Sequence, residues 1–376
     1  MKQSRYLKSY IEEILKRKMA FIGGPRQVGK TTLALSFISP PSVKNLQYFN
    51  WDSPLDQKKI LKNEIPFNEN VLIFDEIHKY KKWRNLIKGL YDKNKEDHSF
   101  IVTGSARLDH FRKGGDSLLG RYRYYRLHPF SAGEIKANSN DLLQLFKFGG
   151  FPEPFFLQNE KEHKLWLNER SYRLVRDDIK DLTTIKETSL ISLLLEILPS
   201  KVGSLLSLKS IAEDIQVSQP TIDRWLTELQ NLYYCYRILP FGSKKIRAIK
   251  KTPKLYLWDW SEINQQGPRF ENLVACQLLK MCHFLEDTEG DKYELRYLRD
   301  TDYHEVDFVV LKNNKPLYAI ECKTGENQLS KSISYFKERL EIPEYYQVHM
   351  GTKDYGNPKN GRVLPFVKFC KEQKMV

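Results

Sequence analysis

A chain of 376 residues is longer than one ordinary hydrophobic core, so two to four domains are expected. Its 61 Lys and Arg residues against 47 Asp and Glu residues give a formal net charge of +14, which favours polyanionic partners and nucleic acid above all. Because we find no C-x-x-C pair, spanning apolar run or signal peptide, we expect a soluble, cytoplasmic protein without membrane contact, zinc ribbon or disulfide framework.

The first chemical motif is a glycine-rich loop between a predicted strand and a predicted helix. Residues 24–32 read Gly-Pro-Arg-Gln-Val-Gly-Lys-Thr-Thr and fit the pattern G-x-x-x-x-G-K-[ST], after a short apolar strand at 18–22. In such a loop the backbone N–H groups cradle phosphates, the lysine reaches the β- and γ-phosphates, and the Thr hydroxyl ligates Mg²⁺. ATP and Mg²⁺ are therefore the predicted cofactors. The predicted nucleotide-binding residues are Gly24, Pro25, Arg26, Gln27, Val28, Gly29, Lys30, Thr31 and Thr32.

The second motif is an apolar strand that ends in two acids, residues 71–76. Asp75 is predicted to hold the Mg²⁺ shell together with Thr31, and Glu76 to polarise the attacking water. A further strand at 99–103 ends in a small hydroxyl residue. Thr103 or Ser105 can contact the γ-phosphate or its water there, although an ordinary strand-to-loop turn is the alternative.

Residues 119–126 alternate in a way that predicts another strand with one basic face. Arg121 in this segment is a candidate arginine finger, which implies an ATP site completed by a neighbouring subunit or by a lid. The alternative is a solvated cationic strand edge. The succession of strands and helices predicts a parallel sheet flanked by helices, followed by a helical lid.

A helix-turn-helix is predicted within residues 206–239. Ser218 and Pro220 mark the start of its second helix, and residues 233–239 and 254–258 are plausible strands of a wing. A basic run lies between those strands, at Lys244, Lys245, Arg247, Lys250, Lys251 and Lys254. This arrangement is typical of a winged helix that contacts DNA phosphates, although winged helices also bind proteins.

A carboxylate–lysine cluster is predicted near the C-terminal end. Residues 304–311 and 317–323 read as two strands of a hairpin, in which Asp307 can lie opposite Glu321 while Lys323 shares the face of Glu321. With Glu271 from an upstream helix, these groups fit a metal-dependent phosphodiesterase whose metal ligands are Glu271, Asp307 and Glu321. The alternative is an exposed hairpin with cross-strand salt bridges.

The ordered motifs resemble those of one group of proteins across nearly the whole chain. They are residues 24–32, 74–79 with Trp83, 103–105, 119–121, 127–131 with Glu134, 149–153, 270–272, 305–308 and 321–323. In this order they resemble prokaryotic ATP-binding proteins that join an AAA-type ATPase to a C-terminal domain of unknown function with a restriction-endonuclease-like, PD-(D/E)XK core. The resemblance implies ATP binding, Mg²⁺, a winged helix and a nuclease-like fold.

The expected fold class is therefore α/β, with four domains. These are a P-loop AAA-type ATPase core (1–129), a helical lid (130–200), a winged helix-turn-helix (201–258) and a PD-(D/E)XK nuclease-like domain (259–376). We expect an ATPase coupled to double-stranded DNA, with Lys30, Asp75, Glu76 and Arg121 as its catalytic residues and a homo-oligomer as a possible assembly. Metal-dependent nuclease activity, with Lys323 as its lysine, is a further possibility for the C-terminal domain. The alternative is a nucleotide-switched adaptor that turns ATP over slowly and whose nuclease-like fold is silent.

Overall fold

The computed structural model describes residues 4–64, 66, 69–104, 118–179, 188–242 and 252–376, without the side chains of residues 177 and 178. The chain divides into two compact units, Met1–His128 and Pro129–Val376. The finer division of the second unit into lid, winged helix and nuclease-like domain stays a prediction. Two features of the sequence, Ser105 and the basic residues at 244–251, lie outside the described residues.

The first unit is built on a five-stranded parallel sheet. Its strands are β1 (Met19–Gly23), β2 (Tyr48–Asn50), β3 (Val71–Asp75), β4 (Ser99–Thr103) and β5 (Tyr122–Arg126), in the order β2-β3-β4-β1-β5. The accompanying helices are α1 (Lys8–Ile14), α2 (Lys30–Leu35), α3 (Pro54–Lys62) and α4 (Trp83–Asn94). Neighbouring strands all pair in parallel, so their carboxyl ends meet at one edge of the sheet. The predicted parallel α/β sheet is confirmed.

Aromatic packing fixes the middle of this sheet. The Phe74 ring stacks on Phe49 at 5.5 Å and on Phe100 at 5.4 Å between ring centroids, which links β2, β3 and β4. These strands read as continuous apolar runs because they are buried on both faces. In the resulting register Asp75 pairs with Thr103, so the ends of β3 and β4 lie side by side.

The second unit contains an eight-stranded mixed sheet in the order β12-β13-β11-β10-β9-β8-β6-β7. Its strands are β6 (Cys235–Pro240), β7 (Lys254–Leu257), β8 (Tyr293–Arg299), β9 (Glu305–Lys312), β10 (Lys315–Cys322), β11 (Glu344–His349), β12 (Tyr355–Asn357) and β13 (Gly361–Pro365). Its helices are α5 (Ser139–Phe148), α6 (Pro152–Leu157), α7 (Glu160–Arg173), α8 (Thr188–Ile197), α9 (Leu208–Ile215), α10 (Gln219–Asn231), α11 (Gln266–Glu289), α12 (Lys331–Lys337) and α13 (Phe366–Glu372). Across the described residues of both units, no helix has the length and apolar character needed to cross a membrane.

Helices α9 and α10 form where the helix-turn-helix pattern predicts them. Ser207 and Ser218 cap the two helices by accepting backbone N–H bonds, and Pro220 occupies the first turn of α10. Strands β6 and β7 then form an antiparallel pair. Because β6 also pairs in parallel with β8, this hairpin is continuous with the large sheet.

Helix α11 is the central helix of the second unit, and it is buried along most of its 24 residues. The side chain of Asn272 accepts a bond from the backbone N–H of Leu257 at 2.8 Å and donates to its carbonyl at 2.7 Å. Further along the helix, Lys280 donates to the Ser131 hydroxyl at 2.8 Å and to Glu134 at 2.5 Å. Polar side chains of α11 thus tie β7 and the segment after residue 128 to one helix.

We predict opposite effects for two glycine-to-alanine substitutions in the first unit. Gly24 has a φ of 142°, and a Cβ at this position would lie 2.3 Å from the carbonyl oxygen of Leu127, so Gly24→Ala should lower the free energy of unfolding by about 1–3 kcal/mol. Gly89 lies inside α4 with open space around its Cα, so Gly89→Ala should raise it by about 0.5–1 kcal/mol. Urea denaturation of both variants checks this. Equal stability of the two proteins would contradict the strain assigned to Gly24.

Candidate functional site

The glycine-rich loop leaves β1 and enters α2 through three residues with positive φ, which are Gly24 at 142°, Gln27 at 60° and Gly29 at 95°. Lys30 is the first residue of α2 and is buried, and its Nζ donates to the carbonyls of Gly24 at 3.0 Å and Pro25 at 2.7 Å. The Lys30 side chain therefore lies along the glycine-rich loop, which is the segment that contacts phosphates in proteins with this motif.

The remaining loop residues divide into an inner and an outer group. Val28 is fully buried, and its carbonyl accepts a bond from Nη1 of Arg5 at 2.7 Å. Arg5 also donates through Nη2 to the carbonyl of His128, so one side chain ties the loop to the end of the unit. Arg26 and Thr32 are exposed. The loop is thus anchored from within while these two side chains face solvent.

Asp75 is the polar centre of the site. One carboxylate oxygen, Oδ2, accepts bonds from the Thr31 hydroxyl at 2.7 Å and from the Tyr48 hydroxyl at 2.8 Å. The other, Oδ1, accepts a bond from the Thr103 hydroxyl. Burial raises the pKa of Tyr48, and the Asp75 charge raises it further, so this phenol remains a donor. Asp75 therefore connects the phosphate loop, β2 and β4.

Glu76 follows Asp75 with a φ of 56°, and its backbone N–H donates to the carbonyl of Thr103 at 3.1 Å. Burial raises the pKa of Glu76, and the charge of Asp75 raises it further, although Lys30 and Lys79 act in the opposite direction. The Lys79 Nζ lies 3.7 Å from Glu76 Oε2. A half-buried carboxyl with a raised pKa is suited to accepting a proton.

These residues fit a bound Mg²⁺–nucleotide. Thr31 and Asp75 are a hydroxyl and a carboxylate, which are the oxygen ligands that Mg²⁺ prefers, and their contact brings together the two groups predicted to hold it. When bound, the ion would neutralise the charge of the β- and γ-phosphates.

Arg121 lies away from this loop. Its carbonyl accepts a bond from the N–H of Met19, at the end of β1 opposite the phosphate loop. Its guanidinium forms a two-pronged pair with Asp92 of α4, with Nε–Oδ1 2.7 Å and Nη2–Oδ2 3.0 Å. Within the first unit the structure therefore does not bring Arg121 to the phosphates, so a finger role would require a neighbouring subunit.

The predicted hairpin of the C-terminal region is present as β9 and β10. In their antiparallel register Ile320 pairs with Phe308, which places Glu321 beside Asp307. Asp307 Oδ2 accepts the backbone N–H of Cys322 at 2.8 Å, and Lys323 Nζ lies 2.8 Å from Glu321 Oε1.

A lysine that the sequence analysis had assigned to the basic run completes this cluster. Lys254 is 1% exposed, and its Nζ lies 2.5 Å from Glu305 Oε1, 3.3 Å from Glu271 Oε1 and 3.8 Å from Asp307 Oδ1. Tyr256 donates its hydroxyl to the same Glu271 oxygen at 2.7 Å. Strand β7 thus brings one cation and one hydroxyl into contact with the predicted metal ligands.

The pKa values of the carboxyl groups and of the lysine in this cluster differ strongly from their ordinary values. Burial, followed by the charge of Asp307, raises the pKa of Glu271 to about 7 and that of Glu321 to about 8. Burial also raises the pKa of Asp307. For Lys254, burial lowers the pKa, but the neighbouring carboxylates outweigh it and hold the pKa above its ordinary value. Lys254 therefore stays charged beside carboxyl groups whose pKa values are raised.

The three predicted metal ligands do not form one ligand set. Among the described residues, the one group of three or more His, Cys, Asp or Glu side chains with ligand atoms within 4.8 Å of each other is Asp300, Asp302 and His304. That group lies in the turn between β8 and β9, where Asp300 Oδ1 accepts the N–H groups of Asp302 and His304. Glu271, Asp307 and Glu321 are instead electrostatic neighbours, with the Lys254 ammonium bound to Glu271 and close to Asp307, and they do not fit a metal ion held by all three.

Sequence reasoning missed three contributors to these sites. Nothing in the sequence around Tyr48 indicates its bond to Asp75, because the contact depends on the order of the strands. Lys254 and Tyr256 carried a usable signal, since a lysine at the start of an otherwise apolar strand needs a buried counter-charge.

Comparisons with protein families divide the chain into three segments. Residues 16–136 match the model of an AAA domain, residues 139–265 a domain of unknown function (DUF8612), and residues 266–369 another domain of unknown function (DUF4143). Residues 16–136 are accordingly similar to AAA-type P-loop domains, which agrees with the parallel sheet and the glycine-rich loop.

Similar proteins come from both archaea and bacteria. The uncharacterized protein MJ1544 of Methanocaldococcus jannaschii is 24% identical, over 90% of this chain and 82% of its own. The uncharacterized protein Rv2008c of Mycobacterium tuberculosis is 22% identical, over 89% of this chain and 76% of its own. Among solved structures, the Thermotoga maritima RuvB Holliday junction branch migration motor aligns over 61% of this chain and 87% of its own, with 17% identity and a TM-score of 0.30. At this TM-score the alignment supports no conclusion about the fold or the function of this chain.

We predict that the stability of the second unit falls as the pH rises from about 5 to 8. The folded cluster retains protons that the unfolded chain, whose glutamates have the ordinary pKa of 4.5, has already released in this range, so raising the pH favours unfolding. Glu321→Gln should flatten this dependence, while Glu338→Gln on the exposed surface should not. Urea denaturation at a series of pH values measures both slopes, and parallel slopes for Glu321→Gln and wild type would contradict the assignment.

Proposed function

We propose that this protein is a Mg²⁺-dependent ATPase whose nucleotide cycle controls its engagement of double-stranded DNA. The observation that carries the ATPase part is the set of contacts around Asp75. Its carboxylate is bonded to Thr31 of the phosphate loop and to Thr103 at the end of β4. A nucleotide bound on the loop would therefore lie close to the predicted Mg²⁺ ligands Thr31 and Asp75 and to Thr103 at the end of β4.

Each residue then has a defined task. Lys30 and the loop N–H groups bind the phosphates, and Thr31 with Asp75 would hold Mg²⁺, which neutralises phosphate charge when bound. Glu76 accepts the proton of the attacking water, for which its burial and raised pKa prepare it. Thr103 is bonded to Asp75 and orients that carboxylate.

Several features of the second unit support the DNA part of the proposal. We assign residues 130–200 to a helical lid, 201–258 to a winged helix and 259–376 to a nuclease-like fold. Helices α9 and α10 with the β6–β7 pair support the winged helix. On α10, Gln219 and Arg224 are exposed, and the sequence between β6 and β7 carries five Lys and Arg residues at 244–251. Basic and polar residues of this kind suit phosphate contacts, which bind DNA with little sequence preference.

A second candidate is a nucleotide-switched adaptor whose nuclease-like fold is silent. The observation that favours it is the position of Lys254 among Glu271, Glu305 and Asp307. In that case ATP turnover is slow and insensitive to DNA, and neither Mg²⁺ nor Mn²⁺ supports cleavage of DNA.

We predict that double-stranded DNA stimulates ATP hydrolysis and that Lys30→Ala abolishes both basal and stimulated turnover. Loss of the lysine that reaches the phosphates should lower kcat/KM by about 100-fold or more. Lys58→Ala, on the exposed face of α3, is the matched control and should behave as wild type. Steady-state phosphate release with and without DNA measures this. Turnover that persists in Lys30→Ala would refute the ATPase site, whereas turnover indifferent to DNA would favour the adaptor.

For Glu76→Gln we predict a fall in kcat of about 10²–10⁴-fold with nucleotide binding retained, because the amide cannot accept the proton of water. In the wild type, kcat should decline as the pH falls through the raised pKa of Glu76, so the acid limb lies above the ordinary carboxyl pKa. The acid limb should vanish in the residual activity of Glu76→Gln. A pH profile of kcat together with fluorescent-nucleotide titration checks both statements, and an unchanged acid limb would remove Glu76 as the base.

A further inference from the structure

We propose that Lys254 is the resident cation of the carboxylate cluster and takes the place of a divalent metal ion between α11 and β9. Lys254 and these carboxylates belong to the second unit and are no part of the ATPase site. The lysine occupies the position at which the sequence predicts a metal ion.

The first support is geometric. The Lys254 ammonium lies within 4 Å of oxygens from three carboxylates, Glu305 Oε1 at 2.5 Å, Glu271 Oε1 at 3.3 Å and Asp307 Oδ1 at 3.8 Å. An ammonium with three donors satisfies several acceptors at such distances, as a metal ion would. The position is held by the fold, because Lys254 begins β7 and Asn272 of α11 bonds both backbone groups of Leu257 on the same strand. The lysine is thus built into the cluster and does not reach it from the surface.

The second support is the balance of charge. Four carboxylates and three cations make up the cluster: Glu271, Glu305, Asp307 and Glu321, with Lys254, Arg299 and Lys323. Four negative and three positive charges leave a net charge of one negative unit. A divalent ion would overcompensate this charge and would be repelled by Lys254.

The third support concerns the one open position. Glu321 Oε2 is buried and has no hydrogen-bond partner among the described residues, while Oε1 binds Lys323. A buried carboxylate oxygen without a partner is costly, so this oxygen is the acceptor that is still available to a cation. It is therefore the position where a metal ion would enter if Lys254 were absent.

The decisive experiment measures Mn²⁺ bound to the nucleotide-free 376-residue chain by electron paramagnetic resonance. The wild type and Glu321→Gln should bind the same number of Mn²⁺ ions at millimolar concentration. Lys254→Met should gain about one Mn²⁺, which Lys254→Met/Glu321→Gln loses again. Lys254→Met should also lower the Tm by about 10 °C, because it leaves buried carboxylates without their cation, and Mn²⁺ should restore part of that loss.

Two controls keep the test decisive. Lys312→Met removes a lysine that pairs with Asp291 at 2.8 Å on the surface of the same sheet, and it should change neither Tm nor Mn²⁺ binding appreciably. Lys254→Arg keeps the charge and should gain no Mn²⁺. A wild-type Mn²⁺ site that Glu321→Gln or Asp307→Asn removes would overturn the proposal, and so would a Lys254→Met protein with wild-type Tm. If Lys254→Met does not fold, the comparison of wild type with these two variants decides alone. The ATPase proposal is unaffected by either result.

Discussion

The first unit depends on one constraint, which is that β4 lies between β1 and β3 in a parallel sheet. This order brings the end of β4 directly beside the end of β3, so the Thr103 hydroxyl bonds Asp75. The phosphate loop after β1 then approaches the same carboxylate through Thr31. A buried carboxylate is costly unless its lone pairs are satisfied, and the three hydroxyls around Asp75 satisfy them. The strand order therefore both permits the burial of this charge and assembles the site.

In the second unit, buried carboxylates are compensated by ammonium groups and not by hydroxyls. Helix α11 carries Glu271 near its start, where Lys254 neutralises it, and Lys280 in its middle, where Glu134 and Ser131 receive its donors. Each of these lysines is almost fully buried. Removing one partner of such a pair costs about 3–5 kcal/mol, whereas the intact pair contributes little net stability. The main effect of these pairs is therefore to specify which segments pack on α11, and they add little to the stability of that packing.

The strands and motifs of both units could be predicted because they depend on local pattern. The apolar run before Asp75, the apolar runs of β9 and β10 and the caps of α9 and α10 depend on residues that are neighbours in sequence. The contacts of Tyr48 and Arg121 could not, because they depend on which strands become neighbours and on which end of a strand a side chain occupies. The position of Lys254 was misjudged for a related reason. Its neighbours in sequence are basic, but its neighbours in space are acidic.

The same distinction explains why a motif that matches a metal site is not sufficient evidence for a metal. Asp307, Glu321 and Lys323 stand in the expected register, so the pattern in the hairpin is satisfied. The cation beside Asp307 is a residue from another strand, more than 50 positions earlier in the chain. A short motif records which acids are present but not which cation they bind. The chemistry of such a hairpin therefore depends on residues outside it, and here β7, which β8 and β6 separate from the hairpin in the strand order, supplies a lysine.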